Sequence, residues 1–358
     1  MISHFQAADR RTPCQVHVLL FVPADHRPPP GYQPRVDEIV AYADGFFRGG
    51  LARWGHRSVV SPFRRSADGR AEVTLLRGKR KAAAYTPVEV RAEVMDELRR
   101  QRKVAPDVAR HVWWILVYAG DPPRKFPGFL GGFGPQIGGW AVCNFNTAPG
   151  RVDPAAPLGS EFLERLMLKG MLHELGHGFQ LPHVGPLKRD AAGNTLMGPT
   201  HVNYRRVMPA GEPRVYLSEA EAAMLATHPA FRGVPEERGP LPKVEAQDLA
   251  YTADPRTGAI VVRGRVRAPG GKLPAYALVA DEADARPGEY WTKTYAGKVA
   301  PADGSFTVTV NEPYASNGTL RTWFAFDSGA QTGDGKSRGR DSGIPRAYRY
   351  GRGTWTFP

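Results

Sequence analysis

Two histidines four residues apart, His173 and His177, constrain this 358-residue chain more than any other feature. They stand in the segment His173-Glu174-Leu175-Gly176-His177-Gly178-Phe179-Gln180-Leu181-Pro182-His183. On an α-helix that spacing puts both rings on one face, one turn apart, where both reach a single ion. Glu174 lies one position round from His173, beside that face and not needed as a ligand. Pro182 ends the helix, and the chain then turns back to offer His183 as a third imidazole. Three neutral nitrogens leave a fourth position for water on a tetrahedral zinc, the arrangement of a catalytic site. A carboxylate at Glu174 is placed to act as a general base towards that water.

The segments around this one set the fold class. Val16–Val22 and residues 111–118 are runs of β-formers that read as buried strands. Residues 35–54 carry apolar side chains at helical spacing, and Thr86-Pro87-Val88-Glu89 is a capping box with proline at the first helical position. Six glycines in 128–139 lead into a strand at 140–145, which the pattern places at an exposed sheet edge. Ser160 is expected to cap one long helix over 161–179 that carries the two histidines. After residue 232 the texture changes to short alternating runs: 258–266, 276–280, 289–299, 305–310 and 319–326. Asp303-Gly304 and Asn317-Gly318 read as hairpin turns between them. The expectation is an α+β unit over 1–234, a Pro/Gly-rich linker at 235–242, and an all-β sandwich of immunoglobulin or fibronectin III type over 243–358.

The zinc-binding segment resembles that of the metzincin clan of zinc metallopeptidases, with Met197 in Thr195-Leu196-Met197-Gly198-Pro199 matching the methionine turn beneath the metal. The resemblance covers roughly residues 14–232, of which about 25 are specific. It implies a zincin-like domain with a mostly parallel twisted sheet and a long active-site helix. It implies that Trp140, Ala141 and Val142 line the cleft as the edge strand that pairs with an extended substrate, and that the helix capped by Ser218 and Glu221 closes the domain. Tyr204 and His201 are the candidates for an oxyanion or substrate contact. The implied activity is zinc-dependent endopeptidase cleavage of protein substrates. The implied compartment is secreted or extracytoplasmic, although residues 1–11 show no signal-peptide pattern. One residue departs from the family: Gln180 stands where the clan has a glycine in the left-handed conformation, at a cost on the order of 1 kcal/mol.

Several alternatives stay open at this level. A glutamate on a later helix, Glu219 or Glu221, is the third ligand in the rival gluzincin pattern. A binding protein for glycans or proteins that keeps zinc without turnover fits the departure at Gln180. Cys14 and Cys143 are buried thiols or a disulfide. The aromatics Tyr290, Trp291, Tyr295, Trp323, Phe324 and Phe326 pack a sandwich core or form a carbohydrate platform. The net charge of +13 is spread along the chain, with small knots at 77–81 and 99–103. A solvated basic surface is the simplest reading; around a peptidase cleft it favours acidic or glycan-decorated substrates, or adhesion to anionic surfaces, and it implies no specific nucleic acid. No apolar run is long enough to span a membrane.

Overall fold

The computed structural model describes residues 13–102, 111–121, 128–133, 138–190, 192–207, 214–235, 240–283, 288–313 and 315–358. Parts of three expected features, the linker (236–239), the glycine-rich loop (134–137) and the second basic knot (Lys103), lie outside the described residues. The first half of the chain builds a five-stranded sheet in the order β2-β1-β3-β5-β4. Its strands are β1 (Val16–Val22), β2 (Val73–Arg77), β3 (Val112–Val117), β4 (Leu130–Phe133) and β5 (Gly139–Asn144). Four of them run parallel, and β4 joins antiparallel at the outer edge beside β5.

Alternation along the strands sorts side chains into two layers. Val18 and Leu20 of β1, Trp114 and Leu116 of β3, and Ala141 and Cys143 of β5 face a large core with α1 (Tyr32–Arg53). Leu19 and Phe21, Trp113, Ile115 and Val117, and Trp140 and Val142 face the opposite layer, covered by α2 (Pro87–Arg102) through Val90, Val94 and Leu98. The capping box starts α2 as expected: the Thr86 N–H donates to Glu89 at 2.6 Å and the Glu89 N–H to the Thr86 hydroxyl at 3.3 Å.

The single long helix expected over 161–179 is instead two, α3 (Glu161–Arg165) and α4 (Leu168–Gly178), broken where Met167 takes φ 58°. At roughly 100° per residue, Leu163 and Leu166 lie about 160° round from Leu168, Met171, Leu172 and Leu175. All six are buried, and one straight helix cannot press both faces into the same core. Ser160 occupies the N-cap position of α3, but its side chain accepts no capping hydrogen bond. Cys14 and Cys143 are both free and buried, so the disulfide alternative does not hold.

After a short parallel pair, β6 (Asn194–Thr195) with β7 (Val215–Tyr216), and the helices α5 (His201–Val207) and α6 (Glu219–Thr227), the chain turns to β-structure. One sheet of three strands has the order β12-β9-β8, from β8 (Glu245–Ala253), β9 (Ile260–Arg267) and β12 (Ser305–Val310). A second, in the order β11-β10-β13-β15-β16, has β10 (Tyr276–Ala283), β11 (Lys293–Lys298), β13 (Asn317–Ala325), β15 (Ile344–Gly351) and β16 (Thr354–Thr356), with β14 (Gln331–Thr332) paired to β13. The two sheets share one apolar cluster that includes Val262, Val308, Val279 and Phe324. Asp303-Gly304 turns between β11 and β12, with Gly304 at φ 74°. Asn317-Gly318 is no hairpin: both residues lie inside β13, paired with Arg349 and Tyr348, because the long strand runs straight through them.

Alternate residues of the larger sheet face the other way. Leu278 and Ala280 of β10 and Trp323 and Ala325 of β13 join the core that holds α6 and α4. The β-rich part is thus packed on the α/β part through shared apolar surface. Among the described residues no helix is long and apolar enough to cross a membrane.

Candidate functional site

Helix α4 carries His173 and His177 across the sheet, and its end explains how His183 comes back to them. Gln180 adopts φ 66°, its N–H donates to the His177 carbonyl at 2.8 Å, and the Leu181 N–H donates to the Gly176 carbonyl at 3.0 Å. This is a Schellman termination with a left-handed residue after the cap. Gln180 thus takes the conformation that its position demands despite having a side chain. Gly178 and Gly139 let the helix end lie close on the sheet, since a Cβ on Gly139 would stand 2.5 Å from the Gly178 carbonyl oxygen.

His173, His177 and His183 form the one group of three or more potential metal ligands among the described residues, their ligand atoms within 4.8 Å of one another. Their hydrogen bonds fix which nitrogen is available. The Nδ1 of His173 donates to the Leu196 carbonyl at 2.9 Å, and that of His177 to the Leu181 carbonyl at 2.9 Å. The Nδ1 of His183 lies 3.2 Å from Oε1 of Glu289. A carbonyl or carboxylate oxygen can only accept, so each Nδ1 carries the proton and each Nε2 presents a lone pair. The Nε2 atoms of His177 and His183 stand 3.1 Å apart. Burial holds the His173 ring well below the usual histidine range and pushes His177 down to about 4, with the neighbouring His183 adding to the effect. Neutral imidazoles with converging lone pairs fit a metal ion.

Beneath the helix, Met197 is fully buried, and a Cβ on Gly176 would meet its sulfur at 2.5 Å. The turn that carries Met197 is tied from two sides. Glu221 accepts from the Met197 N–H at 2.9 Å and from the Ser218 N–H at 2.6 Å, completing the capping box of α6. Lys169 of α4, almost fully buried, donates to the carbonyls of Gly198 and Pro199. Burial pushes Glu221 up to about 7 and Lys169 down to about 7, each charge opposing the other's shift. Glu221 is thereby committed to backbone amides, and Glu219 pairs with Arg189 at 3.3 Å, so the later-glutamate alternative for the third ligand finds no support.

Glu174 is half-buried between α4 and β4. The Gly131 N–H donates to its carboxylate, yet burial dominates and pushes the carboxyl up to about 7. A Cβ on Gly131 would lie 2.5 Å from the Glu174 carbonyl oxygen, 2.8 Å from its Oε2 and 2.9 Å from the His177 Cβ. The strand therefore needs glycine there to approach the helix.

The edge-strand expectation for Trp140, Ala141 and Val142 is corrected. They lie in β5, paired with β3 on one side and β4 on the other, and Trp140 and Val142 point into the α2 layer, with Arg91 over the Trp140 ring at 4.5 Å. The outer strand is β4, whose Leu-Gly-Gly-Phe sequence carries too little β-propensity to read as a strand. Tyr204 is buried with its ring stacked on Trp291 at 6.3 Å and 9°, and His201 faces Glu164 at 3.7 Å.

Sequence reading missed a contribution from the β-rich part. Residues Glu289–Trp291, expected to begin a strand, form a 3₁₀ turn. Tyr290 lays its ring 3.9 Å from that of His183 and 6.0 Å from that of His173. Tyr295, Trp323, Phe324 and Phe326 do pack in the cores, as the simpler alternative has it, but Tyr290 sits at His183 and His173 and Trp291 at Tyr204. The only available signal was their adjacency in an otherwise polar stretch.

No family model and no curated protein matches the chain in sequence. Solved structures do. A crystal structure of wild-type OgpA from Akkermansia muciniphila superposes with a TM-score of 0.73 at 20% identity, covering 100% of this chain and 98% of that one. A crystal structure of catalytically inactive OgpA from the same organism, in complex with the O-glycopeptide substrate glycodrosocin, superposes with a TM-score of 0.71 at 19% identity, covering 98% of this chain and 96% of that one. The chain thus shares, over its whole length, the fold of these structures: an α/β part followed by a β-rich part.

Proposed function

We propose that the chain is a zinc-dependent endopeptidase of metzincin type whose substrates are glycosylated peptides or proteins. The observation that carries the reading is the convergence of three Nε2 lone pairs with a half-buried carboxyl, Glu174, on the same helix as two of them. Zinc–nitrogen bonds of about 2.0–2.1 Å in a tetrahedral site put neighbouring nitrogens about 3.3–3.4 Å apart, close to the 3.1 Å between His177 and His183. His173, His177 and His183 hold the ion in this reading, and Met197 packs beneath them. When bound, zinc polarises the scissile carbonyl and acidifies a water.

The chain's own groups do the rest. Glu174 receives the water's proton on its carboxylate and delivers it to the leaving amine. The Gly131 N–H orients that carboxylate. An extended peptide adds to the outer strand β4, which lies over α4. The Tyr290 phenol, 39% exposed beside His183, is the best-placed donor for the developing oxyanion.

Preference for glycosylated substrates is supported by the shared fold with OgpA, which was crystallised with an O-glycopeptide substrate. The test is digestion of matched O-glycosylated and bare peptides, with and without a zinc chelator, alongside Glu174→Ala. We expect cleavage of the glycopeptide that both the chelator and the substitution abolish. Cleavage that survives both treatments, or an equal rate on both peptides, would overturn the mechanism or the substrate class respectively.

A further inference from the structure

We propose that Glu289 is a positioning residue of the metal site, so that the β-rich part of the chain supplies a working component of the centre built on α4. The inference rests on the reading of the three histidines as metal ligands. His173 and His177 each give their Nδ1 proton to a backbone carbonyl close in space, at Leu196 and Leu181. His183 instead has the carboxylate of Glu289 at 3.2 Å. That contact selects the tautomer with the proton on Nδ1 and turns Nε2 towards His177. A carboxylate behind a ligating imidazole also makes its free nitrogen a better donor, which a carbonyl does less strongly.

The turn that carries Glu289 is seated against the segment just beyond His183. The Gly185 N–H donates to the Thr292 carbonyl at 2.7 Å. A Cβ on Gly185 would stand 2.6 Å from the Trp291 carbonyl carbon and oxygen, so the approach requires glycine. Tyr290 covers the His183 ring, and Trp291 stacks on Tyr204. These contacts hold the Glu289 backbone, while its side chain remains 54% exposed and His183 only 13%. The carboxylate therefore reaches the half-buried imidazole from the rim of the site.

The test is zinc affinity, measured in the full chain by competition with a chromophoric chelator, together with the visible bands of the cobalt-substituted protein. Glu289→Ala is expected to weaken zinc about 10–100-fold and to shift the cobalt bands, with the unfolding midpoint in chelator unchanged. Glu289→Gln keeps an acceptor oxygen without the charge, and should recover part of the loss. It also carries the test if the alanine variant does not fold. Affinity within twofold of the parent chain in both variants, while His183→Ala is impaired, overturns this inference alone. A parent chain that takes up no zinc, or a His183→Ala variant that binds it equally well, overturns the reading of the site and this inference together.

Discussion

The Nε2 atoms of His177 and His183 face each other across 3.1 Å. Both rings already direct Nδ1 at an oxygen, so the facing atoms are two lone pairs that repel unless a cation lies between them. Zinc is therefore expected to stabilise the fold. At free zinc 1,000 times Kd the gain is about 4 kcal/mol. At roughly 2–4 °C per kcal/mol for a large domain, Tm should rise by about 8–15 °C. Melting curves in zinc and in chelator check this, and His177→Ala and His183→Ala should each lose most of the shift. A melting point indifferent to zinc would count against the site.

How much of this was legible depended on sequence separation. The ligand pair, the base and the third histidine lie within eleven residues, and their helix-and-turn geometry follows from spacing alone. The capping boxes at Thr86 and Ser218 are likewise local, and both formed. The break at Met167 was not legible, because a helical apolar pattern shows period but not which neighbour each face must meet. Nor was the edge position of β4, since a strand with two glycines is made by its partner β5 and by α4 rather than by propensity. The contact of His183 with Glu289 joins residues on different parts of the fold, and nothing in either local sequence signals it.

Gly131 makes a test of how closely β4 must approach the active-site helix. An added Cβ would press on the backbone oxygen of Glu174, which cannot rotate away. Gly131→Ala should therefore displace the strand, at a cost of about 1–3 kcal/mol by denaturant unfolding. Misplacing the base and the substrate strand by about 1 Å is expected to lower turnover up to about 10²-fold. Unchanged stability and turnover in this variant would show that β4 is not fixed against the site.

Tyr290 separates packing from chemistry. Its ring covers His183, and its hydroxyl is the proposed oxyanion donor. Tyr290→Phe keeps the ring, so zinc affinity should stay within a few-fold of the parent chain. Loss of one oxyanion donor typically lowers kcat about 10²–10³-fold, and the loss is expected in kcat with KM little changed. An unaltered kcat would remove the hydroxyl from the mechanism and leave Tyr290 as a cover for the imidazole.

Glu174 shows how a base can work against the stability of the site it serves. Burial pushes its carboxyl up from 4.5 to about 7 in the folded chain. Between those values the native, metal-free state holds a proton that the unfolded chain has released. The stability this group contributes is thus fully present below about pH 4.5 and is lost as pH rises through about 7. At 1.36 kcal/mol per unit the shift corresponds to roughly 3 kcal/mol at most. Glu174→Gln has no proton to lose. In chelator, its unfolding free energy should therefore gain on that of the parent chain by about 1–3 kcal/mol between pH 5 and pH 8, read from urea midpoints. Turnover should move the other way: with zinc restored, the glutamine variant keeps the metal but loses about 10²–10⁴ in kcat. A stability difference flat across that pH range would show that the carboxyl is not held protonated by its surroundings. Full turnover in the variant would show that it is not the base.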